Sequence, residues 1–438
     1  VALRDPRDIL VPRPGGFGGV LGNPDFRLMW SAQIASQLAD KFLMFSLLIL
    51  SYTVSGTSTQ GATLFLAYTL PSVFLSPFAG VYADRHNKKL LMFWTNAIRG
   101  GLILLIPLSR YSPYFQGVTW HLLVITFLFA AVGQVFAPAE AASIPFIVNS
   151  EGLMTATSVF TSTVMLTLLV AVPLSTLAVR FLGQESPYWA AALLFFLAAG
   201  LILLIRTPLR LVTHVAPDSP DLLYELREGV AYIASRPEVR TAVLQLSLTI
   251  TIIFSVFVVA PQYMSTVLHL QARDVYLILG PAVLGMLAMA FFLGQYGRHF
   301  RRTRLLIGGL LSAGVTLMLV AVVPSLLRQF APNLLLSFPA IFGLVGGLEF
   351  GVLFIPAFTV LQEHTEAELR GRIFGAVFTV VNAAVAVPIL VAGGLADLFG
   401  VSRVIFGMGV LLVLAGLTSA LPSRRSPLIP PKELKEKR

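Results

Sequence analysis

The chain has 438 residues, of which 56% are hydrophobic and only 12% charged, with a mean hydropathy of +0.82. Soluble domains carry roughly a quarter charged residues, so lipid must solvate much of this surface. The net charge of +10 does not point to nucleic acid, since Lys and Arg fall in short clusters between apolar runs, and the absence of cysteine excludes disulfides and thiolate metal sites.

Residues 1–25 form a cytoplasmic N-terminal segment. It holds Arg4, Arg7 and Arg13 but no apolar core with a small-residue cleavage site, so it does not read as a signal peptide. A bilayer-crossing helix needs about 20 apolar residues. Six such runs lie near 27–53, 60–82, 90–109, 119–141, 153–182 and 187–206, making a first bundle over 26–206. A polar linker follows over 207–238. In it Leu222, Leu226, Val230 and Ile233 recur at helical spacing opposite Glu225 and Glu228, an amphipathic helix lying along the membrane or against the bundle. Six more runs, near 239–265, 274–297, 303–324, 333–361, 371–398 and 402–422, make a second bundle over 239–422, and a basic cytoplasmic tail occupies 423–438.

Pro71, Pro77, Pro173, Pro281, Pro356 and Pro388 interrupt several runs, which membrane helices tolerate where neighbours satisfy the freed carbonyls. β-barrel strands are far shorter and alternate in polarity. The fold class is therefore an all-α membrane protein with about twelve transmembrane helices in two pseudo-symmetric bundles of six.

Odd-to-even connections carry few cations: Arg110, Arg180, Arg273, Arg328 and Arg403. Even-to-odd connections are richer, with Arg85, Lys88 and Lys89, then Arg298, Arg301, Arg302 and Arg304, then Arg370 and Arg372. The positive-inside rule thus puts both termini and the central linker in the cytoplasm. The halves also repeat weakly. GVYADRHNKKLL after the second run lines up with GQYGRHFRRTRLL after the eighth, and FAPAEAA in the fourth with FIPAFTV in the tenth, each offset by a little over about two hundred residues.

Gly80-Val81-Tyr82-Ala83-Asp84-Arg85-His86-Asn87-Lys88-Lys89 is the most specific segment. Gly80 suits close helix packing at the membrane edge, Asp84 stands at a helix end where it can cap or pair, and the cations anchor the loop. The segment resembles the signature loop of the major facilitator superfamily, G-x-x-x-D-R-x-x-R/K-R/K, with Asp84, Arg85 and Lys89 in place and Asn87 a mild departure. The resemblance spans nearly the whole chain and implies a transporter with parallel repeats. It also implies a cytoplasmic gate in which Gly80, Asp84, Arg85 and Lys89 form a latch. Asn23-Pro24-Asp25-Phe26-Arg27-Leu28-Met29-Trp30, Phe136-Ala137-Pro138-Ala139, Leu226-Arg227-Glu228-Gly229 and Leu369-Arg370-Gly371-Arg372-Ile373-Phe374-Gly375 resemble the drug and siderophore exporter branch, which includes macrolide efflux and enterobactin export proteins. A lysophospholipid flippase branch shares some of these features.

Charges inside spans are costly unless paired or hydrated. Asp40 and Lys41 fall midway along the first run, Arg99 in the third and Glu349 in the tenth. By the resemblance, the first, fourth, seventh and tenth helices line a central cavity, which makes Asp40 and Glu349 candidates for proton coupling or substrate binding. The alternative for Asp40 is a structural ion pair with Arg99 or Lys41. Glu140, near the cytoplasmic end of the fourth run, is expected to pair with Arg85 in the gate. Asp397 reads as a helix-end residue on the outer side with no part in transport.

Gln33, Gln37, Gln245 and Asn382 join Asp40, Glu349 and Arg99 as candidate cavity residues, with helix-to-helix packing as the alternative for each; Asn96, Gln134 and Gln262 are further polar residues within spans. Met44, Phe45, Phe254, Phe257, Tyr263, Phe350 and Phe354 suit an apolar cation or amphiphile. The G-P-x-x-G-G pattern of many antiporters is missing from the fifth run, where Ala171-Val172-Pro173-Leu174-Ser175-Thr176 keeps only the proline. No nucleotide-binding loop, H-E-x-x-H or G-x-S-x-G occurs, so neither ATP-driven pumping nor hydrolysis is expected.

The expectation is a secondary transporter, not an enzyme, in a bacterial inner membrane, exporting hydrophobic or amphipathic small molecules in exchange for protons. It is expected to work as a monomer among membrane lipid, with no cofactor, metal or nucleic acid. The rivals are a lysophospholipid flippase and a transport-inactive receptor or scaffold.

Overall fold

The computed structural model describes residues 17–109, 111–115, 118–209, 222–363 and 370–420. The described chain is helical, beginning with a short α1 (Phe17–Leu21). The first half continues with α2 (Pro24–Ser55), α3 (Ser58–Arg85), α4 (Lys88–Ser109), α5 (Trp120–Gly133), α6 (Phe136–Ala141), α7 (Ile144–Ile147), α8 (Ser150–Leu182) and α9 (Ser186–Leu204). After α10 (Leu222–Ser235) come α11 (Pro237–Thr266), α12 (Tyr276–Tyr296), α13 (Arg302–Phe330), α14 (Phe338–Glu363), α15 (Arg370–Phe399) and α16 (Val401–Ala420).

Among the described residues, ten helical stretches are long and apolar enough to cross a membrane, with α5 to α7 counted as one. The other two predicted spans are α3 and α8, helices of 28 and 33 residues. Local chemistry sets their ends. Asn23 caps α2, its side chain accepting from the backbone N–H of Asp25 at 3.0 Å, and Asn149 caps α8 through Gly152 at 3.2 Å. Gly56 ends α2 with φ +70°, a left-handed conformation that costs glycine nothing.

The helices run through Pro173, Pro281, Pro356 and Pro388. The fourth span behaves differently, turning at 134–135 and 142–143. The first break starts four residues before Pro138 and the second follows Ala141, four residues before Pro145, where the proline ring meets the i−4 carbonyl. The repeat partner FIPAFTV stays helical through Pro356, so the two halves differ at a segment that aligns well by eye.

Within the first half α2 packs on α8 and α9, and α4 on α5 and α9; within the second α12 packs on α14, and α13 on α14 and α16. Close backbone approach drives the α12–α14 contact. Gly343, Gly347 and Gly351, one turn apart on α14, lie against Ile278, Ala282 and Met289 of α12, where a Cβ would meet neighbouring atoms. The amphipathic helix α10 lies against the bundle, on α11 and α15. Its predicted apolar face is divided, because Ile233 is buried whereas Val230 is exposed. The halves meet along α3 with α15 and α8 with α12, with α11 also touching α2 and α3.

Candidate functional site

Asp40 is held by three neighbours. Its Oδ1 takes a charge-paired hydrogen bond from the Arg99 guanidinium, and its Oδ2 accepts from Lys41 Nζ at 2.8 Å and from Tyr68 Oη at 2.6 Å. Arg99 is sandwiched between the rings of Phe129 and Phe195, its Cζ 4.1 and 4.5 Å from their centroids. Gly133 makes room for it, since a Cβ there would stand 3.2 Å from that Cζ. The ion pair with Arg99 and Lys41, one of the two expectations for Asp40, is therefore present. Tyr68 links this cluster to the seam between halves, packing also against the apolar core that residues of both halves make there.

An aromatic group crosses that seam. Phe45 of α2 meets Phe257 of α11 edge-on at 5.2 Å, and Phe65 of α3 meets Phe254 of α11 at 4.7 Å. Asn382 of α15 reaches Ser72 of α3, its amide donating at 3.3 Å. Tyr263, grouped with these aromatics in the sequence, instead donates to the carbonyl of Val320 at 2.7 Å inside the second half.

Glu349 finds its partners within the second half. Its Oε1 accepts from Thr316 Oγ1 of α13 at 2.7 Å, Ser312 is a second hydroxyl neighbour, and the side chain is half-buried with no described cation on it. Asp40 and Glu349 thus share no partner; each is satisfied within its own half. Gln33 is buried and donates to the carbonyl of Phe160 at 3.3 Å, a link between α2 and α8. Gln37 is half-buried on α2. Gln245 lines a separate, mostly apolar cavity of about 740 Å³ bounded by α11, α13, α14 and α16, with Arg302, Leu310 and Leu353 among its walls.

At the predicted cytoplasmic end the signature loop is partly described. The side chain of Asp84, at the end of α3, lies outside the described residues. A Cβ on Gly80 would meet no described atom within 4 Å. Asn87 caps α4, accepting from Lys89 N at 3.1 Å and Leu90 N at 3.3 Å, which accounts for its departure from the family pattern. Lys89 Nζ donates to the carbonyl of Ile205 at 2.8 Å. Arg85 is exposed while Glu140 is buried with its Oε1 unpartnered, so the expected Arg85–Glu140 pair is not formed. The motif around Asn23 is also structural. Asn23 Nδ2 donates to Ile147, Asp25 accepts from Arg206 N at 3.1 Å and Thr207 N at 2.9 Å, and Trp30 donates to Thr163 at 2.8 Å.

Asp397 stands near a helix end as the sequence suggests, but its partners were not foreseen. From the C-terminal end of α15 it crosses to the other half and caps α3. Its carboxylate accepts from Ser58 N and Thr59 N, both at 2.8 Å, from Thr59 Oγ1 at 2.5 Å and from Gln262 Nε2 at 3.3 Å. One signal was available. A carboxylate at a helix C-terminus opposes the macrodipole and needs another partner. Nearby, Ser58 Oγ donates to Gln262 at 2.7 Å, Tyr52 and Ser265 share a 2.6 Å hydrogen bond, and Arg180 faces Asp274 at 3.6 Å. The hydrogen bonds and ion pairs between described residues of the two halves all lie between the Asn382–Ser72 level and this predicted outer end.

Comparison with known proteins agrees with this architecture. Residues 29–389 match the Major Facilitator Superfamily. The chain is 24% identical over 432 residues to the protein named Uncharacterized MFS-type transporter YvqJ of Bacillus subtilis (strain 168), covering 93% of this chain and 96% of that one. It is 21% identical over 394 residues to Macrolide efflux protein A of Streptococcus pyogenes, covering 89% and 93%. It is 23% identical over 384 residues to Multidrug efflux pump Tap of Mycobacterium bovis, covering 84% and 87%. Among solved structures, a bacterial homolog to the human lysosomal transporter Spinster superposes with a TM-score of 0.67 at 11% identity, over 90% of this chain and 96% of that one. The nucleoside transporter NupG does so with a TM-score of 0.66 at 13% identity, over 91% and 100%. These two likenesses show the fold. With its membrane-spanning helices and its efflux-pump relatives, the chain belongs to the Major Facilitator Superfamily and is a multi-pass secondary transporter.

Proposed function

We propose that this transporter exports hydrophobic or amphipathic small molecules in exchange for protons, by alternating access between residues 26–206 and 239–422. The observation that carries the coupling is Glu349, a carboxyl inside a membrane-spanning helix whose described polar neighbours are hydroxyls. A hydroxyl can donate to a carboxylate or accept from the protonated acid, so Thr316 and Ser312 suit either state. Asp40 has a different part. Two cations and a phenol surround it, and it anchors α2 to α4 beside the pathway. The aromatic group of Phe45, Phe65, Phe254 and Phe257 supports an apolar or cationic substrate between the halves, as the names of the efflux relatives suggest. Gln33 and Arg99 act in packing, Gln37 and Asn382 in the pathway and Gln245 in the cavity of the second half, while Gly80, Asp84, Arg85 and Lys89 form the cytoplasmic gate, beside which Glu140 lies without an ion pair to Arg85.

Lysophospholipid movement is the second reading, favoured by the mostly apolar cavity of about 740 Å³ in the second half, a volume that accepts an acyl chain. Both readings are tested in proteoliposomes with an imposed pH gradient and a panel of cationic drugs, siderophores and lysolipids. Glu349→Gln is expected to abolish the response of transport to the gradient. Gradient-driven uptake that persists unchanged in that variant would refute the coupling, and uptake of lysolipid alone would favour the second reading.

A further inference from the structure

The structure assigns to Asp397 the latch of the outer gate, an inference that rests on alternating access but not on proton coupling or on the identity of the substrate. Helix α3 begins without a cap of its own, for Thr57 at the N-cap position turns its hydroxyl to Ser55 Oγ and makes no capping bond to the helix. The N-terminal N–H groups of a helix need an acceptor, and the macrodipole favours a negative one. Asp397 supplies it from the opposite half. Both carboxylate oxygens are used, Oδ1 on Ser58 N and Oδ2 on Thr59 N and Thr59 Oγ1.

The surroundings make this contact specific. Gln262 of α11 braces the carboxylate while accepting from Ser58 Oγ, so three helices from two halves meet at one acid. One turn along α15, Gly393 lies so close that a Cβ would stand 2.8 Å from Ala62 Cβ and 2.9 Å from the carbonyl of Ser58. The Asp397 bonds therefore cap a close approach of α15 to α3. Opening at this end separates α15 from α3, which breaks the three bonds from Ser58 and Thr59 together, leaves the acid with Gln262 of its own half, and leaves the first turn of α3 to water. The conformation closed at this end gains the cap and the open one loses it. Asp397 thereby sets the balance between the two states of the cycle without touching substrate.

The natural absence of cysteine makes single-cysteine reporters clean. Val258→Cys places a thiol beneath the latch at a position 2% exposed and in contact with the Gly61 region of α3. Ile103→Cys, fully buried inside the first half, is the control. Reaction with a hydrophilic maleimide is followed in the purified full chain, with and without Asp397→Asn. Labelling at 258 is expected to speed up about threefold to fivefold, the population shift for a cap that loses its charge and one of its two acceptors, with no change at 103. Thr59→Val, which removes one donor and keeps the carboxylate, is expected to give a smaller rise at 258 and is read in the same way should Asp397→Asn not fold. Unchanged labelling at 258, or equal acceleration at both positions as general loosening would give, overturns the assignment. Because no substrate is needed, this result is independent of the transport assay with Glu349→Gln.

Discussion

Neutralising Asp40 is expected to damage stability before it damages coupling. Asp40→Asn leaves the Arg99 and Lys41 charges in place without their counter-charge. Arg99 has nowhere to go, because Phe129 and Phe195 cover its faces and Gly133 abuts its head group. Removing one partner of a buried ion pair costs about 3–5 kcal/mol, most of it from the charge left behind. The side chains of Arg99 and Asp40 are 7% and 11% exposed, so the upper part of that range applies. Glu349→Gln makes the contrast, since Thr316 can still donate to an amide oxygen and the change should stay within about 1 kcal/mol. Heat unfolding in detergent, followed by the fluorescence of the four tryptophans, compares the two. Asp40→Asn should melt well below the parent and Glu349→Gln close to it. Asp40→Asn combined with Arg99→Leu should melt above Asp40→Asn alone, because the stranded charge is gone. A parent-like melt for Asp40→Asn, or a double variant no better than the single one, would refute the anchoring role.

Two further outcomes are expected. Gly347→Ala drives a methyl into the backbone of α12 at Ala282, and should cost at least the roughly 1–3 kcal/mol of an overpacked core, seen as a lower melting temperature and poorer recovery of folded protein. Glu140→Gln removes a buried carboxyl that has no cation partner among the described residues, so its melting temperature should equal or exceed the parent's, whereas a gate ion pair with Arg85 would require a clear loss.

Sequence alone determined the class of this protein, and it predicts twelve spans and a junction between two halves. Those features follow from the length and polarity of each segment, which are local quantities. It also picked out the residue types that matter inside the membrane. Their partners were another matter. Asp40 could be seen to need a cation, but only packing chose the guanidinium of Arg99, 59 residues away, and only packing turned Glu349 towards Thr316. The segment Asn23 to Trp30 was legible as a mark of lineage, while its work as a set of caps and ties to Ile147, Thr163 and Thr207 needed the fold. Asp397 shows the limit most clearly. Its donors lie 338 and 339 residues away in the other half, and nothing local at either position records that they meet. A gate is a contact between two bodies, so its chemistry exists only once tertiary structure has brought them together.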